Sequence, residues 1–400
     1  MFKNNKEGLK VLIAGTGLQF FLGILYVWSI FKAPVSVYYG WAAPDVGLTA
    51  SYMLCSFVIG IIVGGKVQGR IGVKMTTLFG GLMVSAGMLA TALIPAADQS
   101  EPKAPVLLLH LFYAIAGGIG VGAAYNAIIT TAQKWFPNNR GFATGISVAA
   151  FGFSTVIFAP LISTFINNFG VNVTFLMLSG IFAIATLSLF SFIITPDMAA
   201  DASTAKFTGK QYTMLEMLKS SRFYLITLSV MFGTSVFFIV NPDLKDLAES
   251  RGAASFAMAL VMFMGVANAL GRLCIPTLSD KIGGEAAGIS ILAATAIGAF
   301  GLCFVQGVML IAMIIIIAFC YGGIAGLYPV LTSRNFGLKN VGSNYGAVLV
   351  GFMVSALLFP NIMKNIEGHV MKFTLLGIIA STGVVMLVVL KIKNMKRDGN

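Results

Sequence analysis

Twelve stretches of this 400-residue chain are each apolar over about the 20 residues that a helix needs to cross a bilayer. They fall near 9–31, 47–67, 74–96, 104–133, 140–165, 171–194, 221–242, 254–278, 286–305, 308–332, 342–363 and 372–391. Hydrophobic residues make up 58% of the chain and charged ones 10%, against roughly 45–50% and 25% in soluble domains. A soluble fold could not hide that much apolar surface, so lipid is the solvent and the stretches are read as transmembrane helices. The polar start MFKNNKEGLK precedes a run long enough to span, with no A-x-A site close behind. It is read as an uncleaved first helix rather than a signal peptide.

Connections between the spans are short, with one exception. Residues 195–220, TPDMAADASTAKFTGKQYTMLEMLKS, form a long polar link. It divides the chain into residues 1–194 and 221–400, each with six spans, which is the layout of two structural repeats. An all-α membrane protein of two six-helix bundles is therefore expected.

The formal charge of +12 does not point to nucleic acid, because the positive residues do not gather in one patch. With the N-terminus in the cytoplasm, nineteen of the 26 lysines and arginines fall on the cytoplasmic side and six on the other. That asymmetry follows the positive-inside rule and places both termini inside. All fourteen acidic residues fit in connections or at helix ends.

The remaining basic residue is Arg272. It lies in the span FAMALVMFMGVANALGRLCIPTL, eight residues before Asp280, hence about 12 Å inside that end. With a hydrocarbon half-thickness of about 15 Å, its guanidinium sits near the midplane. A centred arginine costs about 2.5–3.5 kcal/mol on insertion scales, so it should face the protein interior. It could bind a substrate anion, bond helix-end carbonyls or a carboxylate, or snorkel toward water. The sequence offers no acid at that depth, and a guanidinium presents two parallel donors to a carboxylate. Asn268, one turn earlier on the same face, could orient Arg272 or donate to the anion.

Other spans contribute polar groups. Tyr26 and Trp28 stand near the outer end of the first span, where Trp28 is either a belt residue or a cavity residue. The fourth span contains GGIGVGAAYN, ending in Tyr125 and Asn126. Its glycines suit close packing or bending, and the absence of G-K-[ST] excludes a phosphate loop. Tyr125 is nine residues before Lys134, about 14 Å deep and near the level of Arg272. Tyr321 and Tyr328 share a face of YGGIAGLYPV, with Pro329 able to kink it. Each phenol needs a partner in a dry interior, either a substrate or another helix. Asn344 and Tyr345 begin the eleventh span, where a helix-end or gating role competes with binding. His110 reads as a packed, hydrogen-bonded residue rather than a proton relay. Cys55, Cys274, Cys303 and Cys320 have no C-x-x-C spacing, so no disulfide framework, metal or other cofactor is expected.

Two connections share a pattern. Gly65-Lys-Val-Gln-Gly-Arg70-Ile-Gly72-Val-Lys74 follows the second span, and Ser279-Asp280-Lys281-Ile-Gly283 follows the eighth. Both resemble the loop signature of the major facilitator superfamily, G-x-x-x-D-[RK]-x-G-x-[RK], at equivalent places in the two halves. The first copy has Gly69 in place of the usual Asp, and the second begins with Pro276 rather than Gly. More narrowly, GILYVWSIFKAP (23–34), GGIGVGAAYN (117–126), KWFPNNRGFATG (134–145), ANALGRLCIPTLSDKIG (267–283) and FGLKNVGSNYGAV (336–348) resemble the oxalate/formate antiporter family and its bacterial monocarboxylate relatives. The resemblance implies a six-plus-six fold with alternating access, in a bacterial inner membrane. It also implies that Arg272 is the substrate arginine and that Tyr26, Tyr125 and Tyr328 are cavity aromatics.

The chain departs from that family at two points. The oxalate exchanger pairs its arginine with a lysine in the eleventh helix, and VGSNYGAVLVGFMVSALLFPNI has none. Animal-type monocarboxylate carriers have Asp one turn before the arginine, where Asn268 stands here. One fixed charge suits a monoanion, and no intramembrane acid is present to carry a proton. The expectation is a monomeric secondary transporter of a small monocarboxylate, with a counter-anion or proton as co-substrate. An oxalate/formate-type exchanger and an exporter of another small solute are the rivals. An enzyme is not expected, since no nucleophile–His–acid set or metal cluster shares a depth.

Overall fold

The computed structural model describes residues 5–96, 104–196 and 210–398; residues 197–209 of the long link lie outside them. The described residues form helices joined by short turns, in the order α1 (Lys6–Leu22), α2 (Trp28–Tyr39), α3 (Ala43–Ala92), α4 (Leu107–Leu109), α5 (Gly117–Trp135), α6 (Arg140–Leu189), α7 (Met214–Leu218), α8 (Ser221–Val240), α9 (Leu244–Ser250), α10 (Ala257–Ile282), α11 (Gly284–Gly301), α12 (Gly307–Phe336), α13 (Val341–Val348), α14 (Val350–Met363) and α15 (His369–Asp398). A 3₁₀ segment, Gly23–Val27, joins α1 to α2, and a wider turn, His110–Ala116, leads into α5.

Nine helical stretches among the described residues are long and apolar enough to cross a membrane. Two of these, α3 and α6, are each two helices merged across a glycine, Gly72 (φ 80°) and Gly170 (φ 79°). Positive φ with extended ψ is open to glycine at little cost and to other residues only with strain. The 26-residue α10 is a further helix of spanning length. With both arms of α3 and α6 counted, twelve such helices stand among the described residues. The helices outrun the apolar stretches: the predicted first span at 9–31 continues as α2 to Tyr39, where Gly40 closes it in the left-handed conformation. Many large apolar side chains, such as Ile13, Ile184, Ile297 and Val385, face outward. A water-soluble surface would not carry so many.

The chain forms two compact units. One comprises Met1–Trp135 with Ala150–Ala200, the other Phe136–Ala149 with Asp201–Asn400. In the first, α3 and α5 pack backbone to backbone. A Cβ on Gly118 would lie 2.7 Å from the Met53 carbonyl, and one on Gly64 would lie 2.5 Å from Ala123 Cα. The glycine run of the fourth span is thus a packing surface. Ser85 and Ser179 exchange hydrogen bonds with each other's carbonyls, at 2.7 and 2.9 Å. An aromatic group of Trp28, Phe31, Tyr113 and Phe175 fills one end of the unit. Trp28 is buried there and donates to Val46 O at 3.1 Å, so it is not a lipid-facing belt residue.

In the second unit, α10 lies against α12, α11 packs on α12 and α15, and α8 packs on α14 and α15. A broad apolar core runs from Val236 on α8 through Leu260 and Met264 on α10 to Ile314 on α12 and Leu376 on α15. The start of α7 carries a capping box in which Thr213 and Glu216 each bond the other's backbone.

Candidate functional site

The helix that carries Arg272 is gripped by glycines. Pro276, four residues on, has no N–H, so the Arg272 carbonyl loses its helical partner. Gly326 of α12 and Gly145 of α6 close on that carbonyl: a Cβ built on them would lie 2.8 and 3.1 Å from it. Gly322 packs on the Asn268 backbone, and Gly271 on that of Phe319. The YGGIAG run therefore brings α12 against α10 along the turns that hold the arginine. No larger residue would allow this approach.

Arg272 is 2% exposed and is the bulkiest fully buried side chain of the described residues. Its Nε donates to Asn268 Oδ1 at 2.7 Å. The expected i, i+4 pair is thus formed through the Asn268 amide oxygen. Its amide oxygen receives a charge-assisted hydrogen bond, worth about 1.5–3 kcal/mol. Among the described residues arginines are buried, but no Asp or Glu is.

The other expected site residues have varied surroundings. In the second unit, Tyr328 is buried and its hydroxyl lies 2.8 Å from Ser229 Oγ on α8. That bond links two helices, one of the two partnerships expected for a buried phenol. Tyr321 stacks face to face on Phe237, with ring centroids 3.7 Å apart, and its ring edge meets Phe238. Asn344 donates to Tyr212 O at 3.1 Å, and Asn340 donates to the same oxygen at 2.9 Å. Asn344 thereby holds a helix end.

In the first unit, Tyr125 is buried between Phe57 and Phe151, its ring edge-on to both. Its carbonyl accepts from the fully buried Gln19 at 3.1 Å. Asn126 donates to Ile61 O at 2.8 Å, which ties α5 to α3. The side chain of Tyr26 lies outside the described ones. His110 is buried with Nε2 3.1 Å from Asp45 O, and its ring meets Tyr52 edge-on. It is a packed, bonded histidine, as expected.

The two copies of the loop pattern differ. In the first, Arg70 and Lys74 are exposed, Gly65 is half-buried, Gly72 makes the bend, and nothing approaches Gly69. In the second, Gly283 makes the bend with φ 90° and Lys281 is exposed. Asp280 there is nearly buried and fully engaged. Its Oδ1 and Oδ2 each accept, at 2.9 Å, from the amides of Gly141 and Phe142. These are first-turn amides of α6, which have no partner inside their own helix. A carboxylate also suits the positive end of the helix dipole. Arg334 completes the group: its Nη2 lies 2.8 Å from Asp280 Oδ1 and its Nη1 donates to Ser279 O. Arg140 adds a bond to Ser333 O at 3.2 Å. Sequence reading singled out Asp280 but not Arg334, Gly141 or Phe142. The helix start after Pro137-Asn-Asn was the available signal, since its free amides need an acceptor.

Comparison with known proteins agrees with this architecture. The model of the Major Facilitator Superfamily matches residues 12–360. The MFS-type transporter YhjX of Escherichia coli is 27% identical over 351 residues, covering 85% of this chain and 83% of that protein. The oxalate:formate antiporter of Oxalobacter formigenes is 28% identical over 347 residues, covering 81% of this chain and 76% of that protein. Among solved structures, the E. coli proton:xylose symporter XylE aligns over 96% of both chains with a TM-score of 0.69 and 17% identity, a likeness of fold. With a family model spanning most of its length and a fold shared from end to end, this chain belongs to the Major Facilitator Superfamily of membrane transporters.

Proposed function

We propose that the protein is a secondary active transporter of a small organic anion, a monocarboxylate such as formate, lactate or pyruvate, with Arg272 as the group that binds the carboxylate. The observation that carries this reading is a guanidinium buried at 2% exposure, its Nε fixed by Asn268, on a helix crossing the apolar body of the chain. With Nε so oriented, the Nη edge has the parallel N–H pair that matches the two oxygens of a carboxylate. One positive charge balances one negative charge, which favours a monoanion. Formate is named as a substrate of the Oxalobacter relative, which supports the same class.

In this reading the bundles 1–194 and 221–400, joined by 195–220, rock around a midplane site in the bacterial inner membrane, with both termini in the cytoplasm. Bound anion neutralises Arg272 and lowers the electrostatic cost of occluding it. Tyr26, Tyr125, Asn126, Asn268, Tyr321 and Tyr328 are assigned to substrate binding in this reading, directly or by holding their helices in place. A second reading is anion exchange of the oxalate/formate type, favoured by the name of that same relative.

Counterflow of radiolabelled carboxylates in proteoliposomes, with and without a pH gradient, tests both. Loss of the bidentate interaction in Arg272→Gln should cost about 3 kcal/mol, or roughly a hundredfold in affinity. Arg272→Lys keeps the charge without the fork and should fall in between. Wild-type uptake by a well-folded Arg272→Gln protein would sink the proposal. Exchange restricted to dicarboxylates would exclude the monocarboxylate assignment.

A further inference from the structure

A second buried arginine, Arg251, stands 21 residues before Arg272 and bonds a different set of residues. Arg251 follows α9 and is 7% exposed. Its Nη1 donates to Leu302 O, the C-cap carbonyl of α11, at 2.5 Å and to Val305 O, just past the turn that follows, at 3.3 Å. A cation at a helix C-terminus is favourable there. The guanidinium also lies 5.8 Å from the centre of the Phe373 ring, and the Arg251 carbonyl accepts from Gly307 N at 2.9 Å. Arg251 therefore joins α9, α11, α12 and α15 at one end of the second unit.

These bonds do not satisfy it. Nη2 is buried without a partner among the described residues, and a buried unmet donor costs about 1–3 kcal/mol. None of the ion pairs among the described residues involves Arg251. Beside it lies a cavity of about 150 Å³ lined by Ser250, Arg251, Gln306 and His369, with Cys303, Phe304 and Val305. The lining carries hydrogen-bond donors and no carboxylate. Phe304 of the lining is 82% exposed, and Val308 and Met309, four and five residues on, are exposed as well. A charged, donor-rich hollow beside outward-facing apolar side chains at a helix end matches the join of headgroup and acyl chain in a phospholipid.

We propose that this cavity is an oxyanion site for a phosphate group, with Arg251, Gln306 and His369 as its donors. Its ligand is the phosphate of an anionic phospholipid lying along Phe304, Val308 and Met309, or the same group as free phosphate. The occupant neutralises the buried guanidinium and staples α9, α11, α12 and α15 at the end that sequence topology places outside. The site is independent of the carboxylate reading.

Native mass spectrometry of the purified full chain, after exchange into detergent with phosphatidylglycerol or phosphatidylcholine, reads lipid retention. Thermal unfolding with inorganic phosphate reads the free anion. Arg251 also caps α11, so the test rests on Gln306→Leu with His369→Ala, which leave that cap intact. The wild type should retain phosphatidylglycerol several-fold more than the double variant does, and Arg272→Gln should retain it like the wild type. Protection by phosphate that the double variant loses would support the site with a free anion as ligand. Equal retention and equal protection in wild type and double variant, or none in either, would overturn it.

Discussion

Asp280 offers a sharp test of the geometry, because one atom exchange alters three hydrogen bonds. In Asp280→Asn the amide oxygen can replace Oδ1 and keep its bonds to Gly141 N and Arg334 Nη2, both formed at 2.9 Å or less. The new NH₂ group then faces Phe142 N–H, a donor against a donor, where Oδ2 had accepted at 2.9 Å. Loss of one hydrogen bond to a charged group costs about 1.5–3 kcal/mol. The two surviving bonds lose their charge assistance, and the α6 N-terminus loses its anion, worth about 0.3–1 kcal/mol. The total is about 3 kcal/mol. At about 2–4 °C per kcal/mol for a unit of this size, thermal unfolding should fall by roughly 6–12 °C. The side chains of Asp280 and Arg334 are 7% and 27% exposed, so solvent screening does not erase the effect. Arg334→Gln supplies the second corner of a double-mutant cycle read by scanning fluorimetry in detergent. The coupling between the two should reach at least about 1 kcal/mol. Additive effects within about 0.3 kcal/mol, or an Asp280→Asn protein as stable as wild type, would show that the carboxylate does not hold these groups together.

Three further outcomes follow from the helix contacts. Gly326→Ala should lower the unfolding temperature and the uptake rate together, since its Cβ would lie 2.5 Å from Pro276 Cγ and overpacking costs about 1–3 kcal/mol; Gly265→Ala on the Arg272 helix meets nothing within 4 Å and should leave both unchanged or slightly raise stability. Tyr328→Phe should cost about 1 kcal/mol through the lost bond to Ser229, with carboxylate affinity in a binding assay unchanged; a tenfold loss of affinity without a stability change would make the hydroxyl a substrate ligand instead. Asn268→Asp places a carboxylate where Arg272 Nε now donates at 2.7 Å. It should compete with the transported anion, lowering uptake at neutral pH and recovering it as pH falls, and a flat pH profile at wild-type rate would refute the competition.

Part of the geometry around Arg272 could be read from residue types and spacing. Arg272 and Asn268 stand four apart, and that spacing alone aligns them on one helix face, where the structure joins them. The glycines of GGIGVGAAYN and YGGIAG announced close helix approach without naming the partner. The structure shows that one run meets α3 and the other meets α10. Tyr328 could have met substrate or helix, and only the position of Ser229, 99 residues away, gave it a protein partner. Trp28 sat where belt tryptophans sit, yet its indole turns inward to Val46 O. Spacing along the chain says which side chains share a face and nothing about what that face meets.

What the sequence by itself determined is the solvent and the periodic architecture. Apolar runs of spanning length, a skewed set of lysines and arginines, and one arginine at depth follow from the cost of charge and open backbone in hydrocarbon. The tertiary structure alone decided how the polar groups are satisfied. It placed the Asp280 carboxylate on the amides of Gly141 and Phe142, 139 and 138 residues earlier. It also brought Gly145 and Gly326 to the Arg272 carbonyl, to which Pro276 offers no helical N–H. Such contacts join helices remote in sequence, and each depends on backbones approaching closely enough to exclude any side chain. No local pattern encodes that distance.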